Sequence, residues 1–179
     1  MSRGFGLSNR YKPVVKEENR TVISYGKEQV DESNATWHEL YFYHKRDGIP
    51  DLQRIKDAIT EDINERTRQR ILSTLVWNGK SVWLSTENQM DWKAAFDRAL
   101  QTEGANLPVK FKIGEADDGS PVYHTFNSMN AFADFNDTWQ RHIQQCLADG
   151  WTMKDGMDWS VYEHALPSQV ALDQDPVIP

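Results

Sequence analysis

The chain has 179 residues, with 27 Asp and Glu against 20 Lys and Arg, for a net charge of −7. That length suits one domain with appendages or two very small ones, and 39% hydrophobic with 26% charged residues is a globular composition able to form a core. The acidic balance argues against a nucleic-acid binder, which needs a clustered positive footprint, and no apolar run approaches the roughly 20 residues that cross a bilayer.

Residues 1–20 read as an extended N-terminal arm, because Gly4, Gly6, Ser8, Asn9 and Pro13 are turn formers with no periodicity around them. Its opening, MSRGFGLSNRYKP, lacks the apolar core of a secretory signal. From residue 21 to 50 the pattern becomes a β-hairpin attachment segment. VISYGKEQV and TWHELYFYHK are rich in β-branched and aromatic residues and are separated by the turn-like DESN. Alternation places Trp37, Tyr41 and Tyr43 on one side and His38, Leu40, Phe42 and His44 on the other. Neither side is polar, so both are expected to be covered.

Leu52, Ile55, Ile59 and Ile63 recur at helical spacing and predict a helix over 51–72, with Glu61, Asp62 and Glu65 on its solvated face. Next comes LVWNGKSVWLST. Asn78-Gly79 fits a two-residue type I′ turn, where both residues take positive φ. The register then pairs Trp77 with Lys80, Val76 with Ser81 and Leu75 with Val82, and sends Trp77 and Trp83 to opposite faces. Thr86-Glu87-Asn88-Gln89 reads as a capping box opening a helix that buries Trp92, Ala95, Phe96, Ala99 and Leu100 and ends at Gly104.

PVKFKIGEADDGSPVYHTF is a further hairpin, turning at Asp118-Gly119. Asn127 or Ser128 then caps a third helix with the stripe Phe132, Phe135, Trp139, Ile143 and Leu147, stopped by Gly150. Ser160 to Glu163 caps a short helix reaching about Leu166, and residues 167–179 form a loose, acidic tail. The fold class is therefore α+β, with small antiparallel β-hairpins alternating with three main helices after an extended N-terminal arm. Residues 51–166 make the main body.

Catalytic and metal patterns are weak. Glu61-Asp62 could serve as acid and base only in a cleft that separates two carboxylates by about 5 to 9.5 Å, whereas their positions are those of solvated helix surface. His142 and Cys146 lie four apart on one helix face, but two ligands do not close a structural zinc site, which takes four. The DDG at 117–119 lacks the alternating acids of a calcium loop. No G-x-S-x-G, Walker A or dinucleotide fingerprint occurs, and Cys146, the single cysteine, precludes an internal disulfide and fits a reducing cytoplasm. No enzyme activity, no cofactor and no metal is expected.

Seven Trp and six Tyr exceed what a modest core takes, and such side chains outside a core anchor interfaces. Trp77, Trp92 and Trp139 are assigned to the interior. Phe5, Tyr11, Trp37, Tyr41, Tyr43 and Trp83 are the expected partner-binding residues.

Three elements carry a likeness to a known family: the helix ending in INERTRQRI, the hairpin VWNGKSVWLS followed by a helix, and the third helix with its Trp and His before DGW. Over roughly residues 60–160 the chain resembles a domain of unknown function found in tail-region proteins of tailed bacteriophages and of prophages of gut bacteria, beside or fused to tail-fibre or tail-fibre-assembly proteins. The resemblance implies a non-enzymatic virion structural protein of the tail or tail-fibre region, made in the host bacterial cytoplasm. It would be attached to neighbouring phage structural subunits through its arm and aromatic surface, as a homo-oligomer or part of a larger assembly, with no nucleic acid or membrane partner. The alternatives are a tail-fibre assembly chaperone absent from the mature particle and, third, a cell-wall hydrolase.

Overall fold

The computed structural model describes residues 2–116, 118–164 and 166; the expected loose tail at 167–179 lies outside them. The fold is α+β: the described residues form five α-helices and three antiparallel sheets. The chain divides into two compact units, Met1–Ile63 with Met153–Pro179, and Asn64–Thr152. This differs from the expected division into arm, attachment hairpin and 51–166 body. Contacts far apart in sequence join Met157, Trp159, Tyr162 and Leu166 to residues of the first 63.

In the first unit, β1 (Ser2–Leu7), β2 (Val14–Lys16), β3 (Arg20–Gln29) and β4 (Asn34–Tyr43) form one sheet in the order β1-β4-β3-β2. The stretch read as an extended arm thus supplies both edge strands. β1 pairs antiparallel with β4, Gly4 opposite Trp37 and Gly6 opposite Ala35, while β2 pairs with β3, Val15 opposite Val22. Glycine makes the first pairing possible, because a Cβ on Gly4 would run into Trp37 Nε1 and the Glu39 carboxylate. Gly4, one of the turn formers that suggested an extended arm, is what lets β1 lie against β4.

α1 (His44–Asp47) is one short turn. α2 (Leu52–Ser73) begins where expected, with Asp51 Oδ1 accepting from the Arg54 N–H at 2.8 Å. Its Ile55, Ile59 and Ile63 pack on Ile23, Tyr25, Leu40 and Phe42 of the sheet, and the cluster is completed by Tyr162 of α5 (Ser160–Glu163). Fully burying each such aliphatic side chain contributes about 1.5–3 kcal/mol. Asp62 departs from the expected solvated face. It is buried and accepts a hydrogen bond from the Tyr25 hydroxyl, because a carboxylate sits beside the apolar stripe only where a donor on the sheet meets it.

The second unit is built from β5 (Leu75–Trp77), β6 (Lys80–Val82), α3 (Thr86–Gln101), β7 (Val109–Glu115), β8 (Pro121–Phe126) and most of α4 (Met129–Asp155). The first hairpin has the predicted register, with Asn78 at φ 48° and Gly79 at φ 72°. Leu75, Trp77, Val82 and Leu84 join Trp92, Ile113, Phe126, Phe132, Phe135 and Trp139 in one core. Phe126 and Phe132 stack at 4.5 Å, and Trp77 and Trp92 each meet Phe135 at 4.9 Å in T-shaped geometry.

Two boundaries moved. The cap of α3 is Ser85, one residue before the expected box, and its hydroxyl accepts from the Asn88 N–H at 3.2 Å. Gly150 does not stop α4, which runs on to Asp155. It lies buried where a Cβ would strike Thr67 of α2, so it is a helix-crossing glycine and not a terminator.

Candidate functional site

The site with the clearest construction surrounds Trp83. Val82 is the last residue of β6, and Trp83 follows just outside the strand with both backbone groups bonded. Its N–H donates to the Ile113 carbonyl at 2.8 Å and its carbonyl accepts from Asn88 Nδ2 at 2.8 Å. On either side, Ser81 crosses β7 at Gly114, where a Cβ would collide with the Ser81 carbonyl, and the Leu84 N–H donates to Leu72 at 3.0 Å. The segment is pinned at successive residues, yet the Trp83 side chain stays 46% exposed. Such a ring is held ready for a contact at little cost in ordering.

Trp83 lines a cleft of about 430 Å³ together with Ser73, Ser81, Ser85, Asn88, Lys112 and Glu115, floored by Val82 and Gly114. Volumes of about 300–1,000 Å³ are those of small-molecule sites. The two charged groups neutralise one another, Lys112 Nζ lying 2.7 Å from Glu115 Oε1. Sequence reading singled out Trp83 and none of the polar lining, which comes from α2, β6, the start of α3 and β7 and converges only through the crossing of the two hairpins.

The other expected partner residues lie in the first unit. Trp37 is a correction: expected to face outward, it is 6% exposed. β1 lies beside it, the Tyr11 ring meets it edge-on at 5.8 Å, and its Nε1–H donates to Glu39 Oε1 at 2.9 Å. The Tyr41 hydroxyl donates to the other Glu39 oxygen at 2.6 Å, and the Arg20 guanidinium lies 4.9 Å from the Tyr41 ring. Tyr11 is half-buried and donates to the Ser24 carbonyl at 3.2 Å; burial pushes its phenol up. Tyr11, Trp37 and Tyr41 thus use their polar ends within the chain. Phe5 at 68% and Tyr43 at 42% are open to solvent.

His142 and Cys146 behave as packing groups. Cys146 is buried 3.7 Å from His142 Nε2, which in turn lies 3.3 Å from the Arg70 carbonyl, and burial pushes the thiol pKa up, away from thiolate character. Among the described residues no group of three or more His, Cys, Asp or Glu is placed to hold a metal ion. No helix among them is long and apolar enough to cross a membrane. His124 meets Trp77 edge-on at 4.7 Å; burial, aided by Lys80, lowers its pKa from the ordinary value of 6.5.

In comparisons with known proteins, no family model, curated protein or solved structure matches the chain.

Proposed function

We propose that the chain is a non-enzymatic structural protein of the tail or tail-fibre region of a tailed bacteriophage particle, attached to neighbouring subunits through its first unit. The stretch that carries the family resemblance, roughly 60–160, coincides with the compact unit Asn64–Thr152. The attachment rests on one observation: among the described residues nothing covers the distal end of the four-stranded sheet. The α2 stripe packs on the proximal residues Ile23, Tyr25, Leu40 and Phe42. Beyond the bulge between Tyr25 and Glu28 the residues from Lys27 to Val30 are exposed, and β1 brings Phe5 and Leu7, both exposed, to that end. Among the described residues β4 is the one strand that neighbours β1, so the outer edge of β1 offers backbone groups for pairing.

A second reading gains from the folded-back arm. With residues 2–7 and 14–16 paired to their own sheet, the N-terminal stretch is not a free strap to thread into a neighbour. A chaperone that binds fibre chains and then leaves uses the same exposed end. Mass spectrometry of purified particles separates the two. A structural component is present at fixed stoichiometry, and the double change Phe5→Ser, Leu7→Ser keeps the chain folded while abolishing incorporation. A chaperone is absent from particles and captures fibre protein from lysate.

A further inference from the structure

The role just proposed uses the first unit and leaves the Trp83 cleft unassigned. We propose that this cleft is a binding site for a neutral saccharide, with the Trp83 indole as the platform for a sugar ring and Ser81, Asn88, Lys112 and Glu115 as the groups that read its hydroxyls.

Three features select this class of ligand. First, charge: the cleft contains one cation and one anion, paired at 2.7 Å, and its other lining residues are neutral. A phosphate, a nucleotide or a charged peptide end would meet no surplus of opposite charge, whereas a neutral polyol forfeits nothing. Second, donor and acceptor type: serine hydroxyls and an amide both donate and accept, an ammonium only donates and a carboxylate only accepts. That mixture matches a ring of hydroxyls that themselves do both. The apolar C–H face of a sugar needs a flat, weakly polar surface, and an exposed indole is the amphipathic side chain that supplies one. Third, the backbone is already used. The Trp83 N–H and carbonyl are bonded to Ile113 and Asn88, and Ser81 lies against Gly114. The cleft therefore presents side chains and not a free strand edge to which an extended peptide could pair. At about 430 Å³ it lies toward the small end of ligand pockets, with room for about two sugar rings.

The test uses the full chain and ligand-observed saturation-transfer NMR, followed by calorimetry. The probes are maltose, cellobiose, lactose and N,N′-diacetylchitobiose, with sialyllactose as an acidic comparator. At least one neutral disaccharide should bind saturably. Trp83→Ala should weaken that binding by tenfold or more with the thermal unfolding midpoint unchanged, and Trp83→Phe, which keeps a flat ring, should restore most of it. Lys112→Met should weaken it severalfold. No saturable binding by any neutral probe, equal binding by Trp83→Ala, or preference for the acidic probe over its neutral parent would each overturn the proposal. Particle incorporation of Trp83→Ala distinguishes the two proposals. Normal incorporation with lost sugar binding supports the saccharide site and leaves the first-unit attachment standing. Lost incorporation without any sugar binding gives the cleft to a protein neighbour and sinks the saccharide reading.

Discussion

Trp37 and Trp83 sit in similar sequence surroundings, each in a short β-rich stretch with polar and apolar neighbours, and the fold treats them oppositely. Trp37 is sealed at 6% exposure and Trp83 stands at 46%. The difference lies in what runs alongside. Trp37 is on an inner strand, and the strand beside it has glycine opposite, so the backbone of β1 comes in close and Glu39 takes the indole N–H. Trp83 is in chain that has just left its hairpin. The nearest backbone, at Ile113 and Gly114, approaches its main chain and leaves the side chain uncovered. Exposure of an aromatic is thus decided by where neighbouring backbone can reach, a property that strand alternation does not encode.

The comparison is broken most directly by truncating both rings. Trp37→Ala should cost about 3–5 kcal/mol in denaturant unfolding, as expected for a large buried aromatic, while Trp83→Ala should stay within about 0.5 kcal/mol, as for a surface site. Equal losses would mean that the two indoles are in equivalent surroundings after all. Next in size are the glycines that set the two environments. Gly4→Ala places a methyl against Trp37 and Gly114→Ala places one against the Ser81 carbonyl, and each should cost about 1–3 kcal/mol as overpacking. Gly4→Ala should raise the solvent accessibility of Trp37 in fluorescence quenching. Gly114→Ala should disturb the Trp83 cleft and leave Trp37 as it was.

A smaller loss, about 1 kcal/mol, is expected for Ser85→Ala, which removes the cap of α3 beside Trp83. The smallest effect concerns pH. His124 has its folded pKa lowered, chiefly by burial, so the unfolded chain binds the proton more readily. Its contribution is present above the unfolded value near 6.5 and is lost as pH falls through the lowered folded value. Thermal unfolding at pH 7.5 and 5.5 should show a larger drop for the natural chain than for His124→Gln, with a midpoint for His124 below 6.5 by NMR.

Where local chemistry decides the outcome, the sequence was a good guide. Asn78-Gly79 specified the turn and register of the second hairpin, the isoleucine spacing located α2, and Trp77, Trp92 and Trp139 are interior as their stripes implied. What escaped depends on partners distant in the chain. The pairing of residues 2–7 with 34–39, the Tyr25 hydroxyl that draws Asp62 inward, and the Thr67 surface that makes Gly150 a crossing point leave no periodic trace near the residues concerned. The cleft shows the same division. Its Trp was visible beside a strong turn signal, but Ser73 and Lys112 stand 10 residues before it and 29 after it, and nothing in their own neighbourhoods marks them.

Tyr162 is buried in the first unit and donates its hydroxyl to the Ser24 carbonyl at 2.9 Å. As the chain emerges from the ribosome, the interior of the first unit is therefore complete only once Tyr162, 138 residues beyond Ser24, has been made, while the intervening 64–152 stretch can close around its own aromatic interior meanwhile. A chain cut short before residue 159 should keep a protected amide core in that middle stretch and exchange rapidly across the opening sheet. Loss of the segment around Tyr162, by premature termination or proteolysis, would then be felt far back in the sequence, in the strands that carry Phe5 and Trp37.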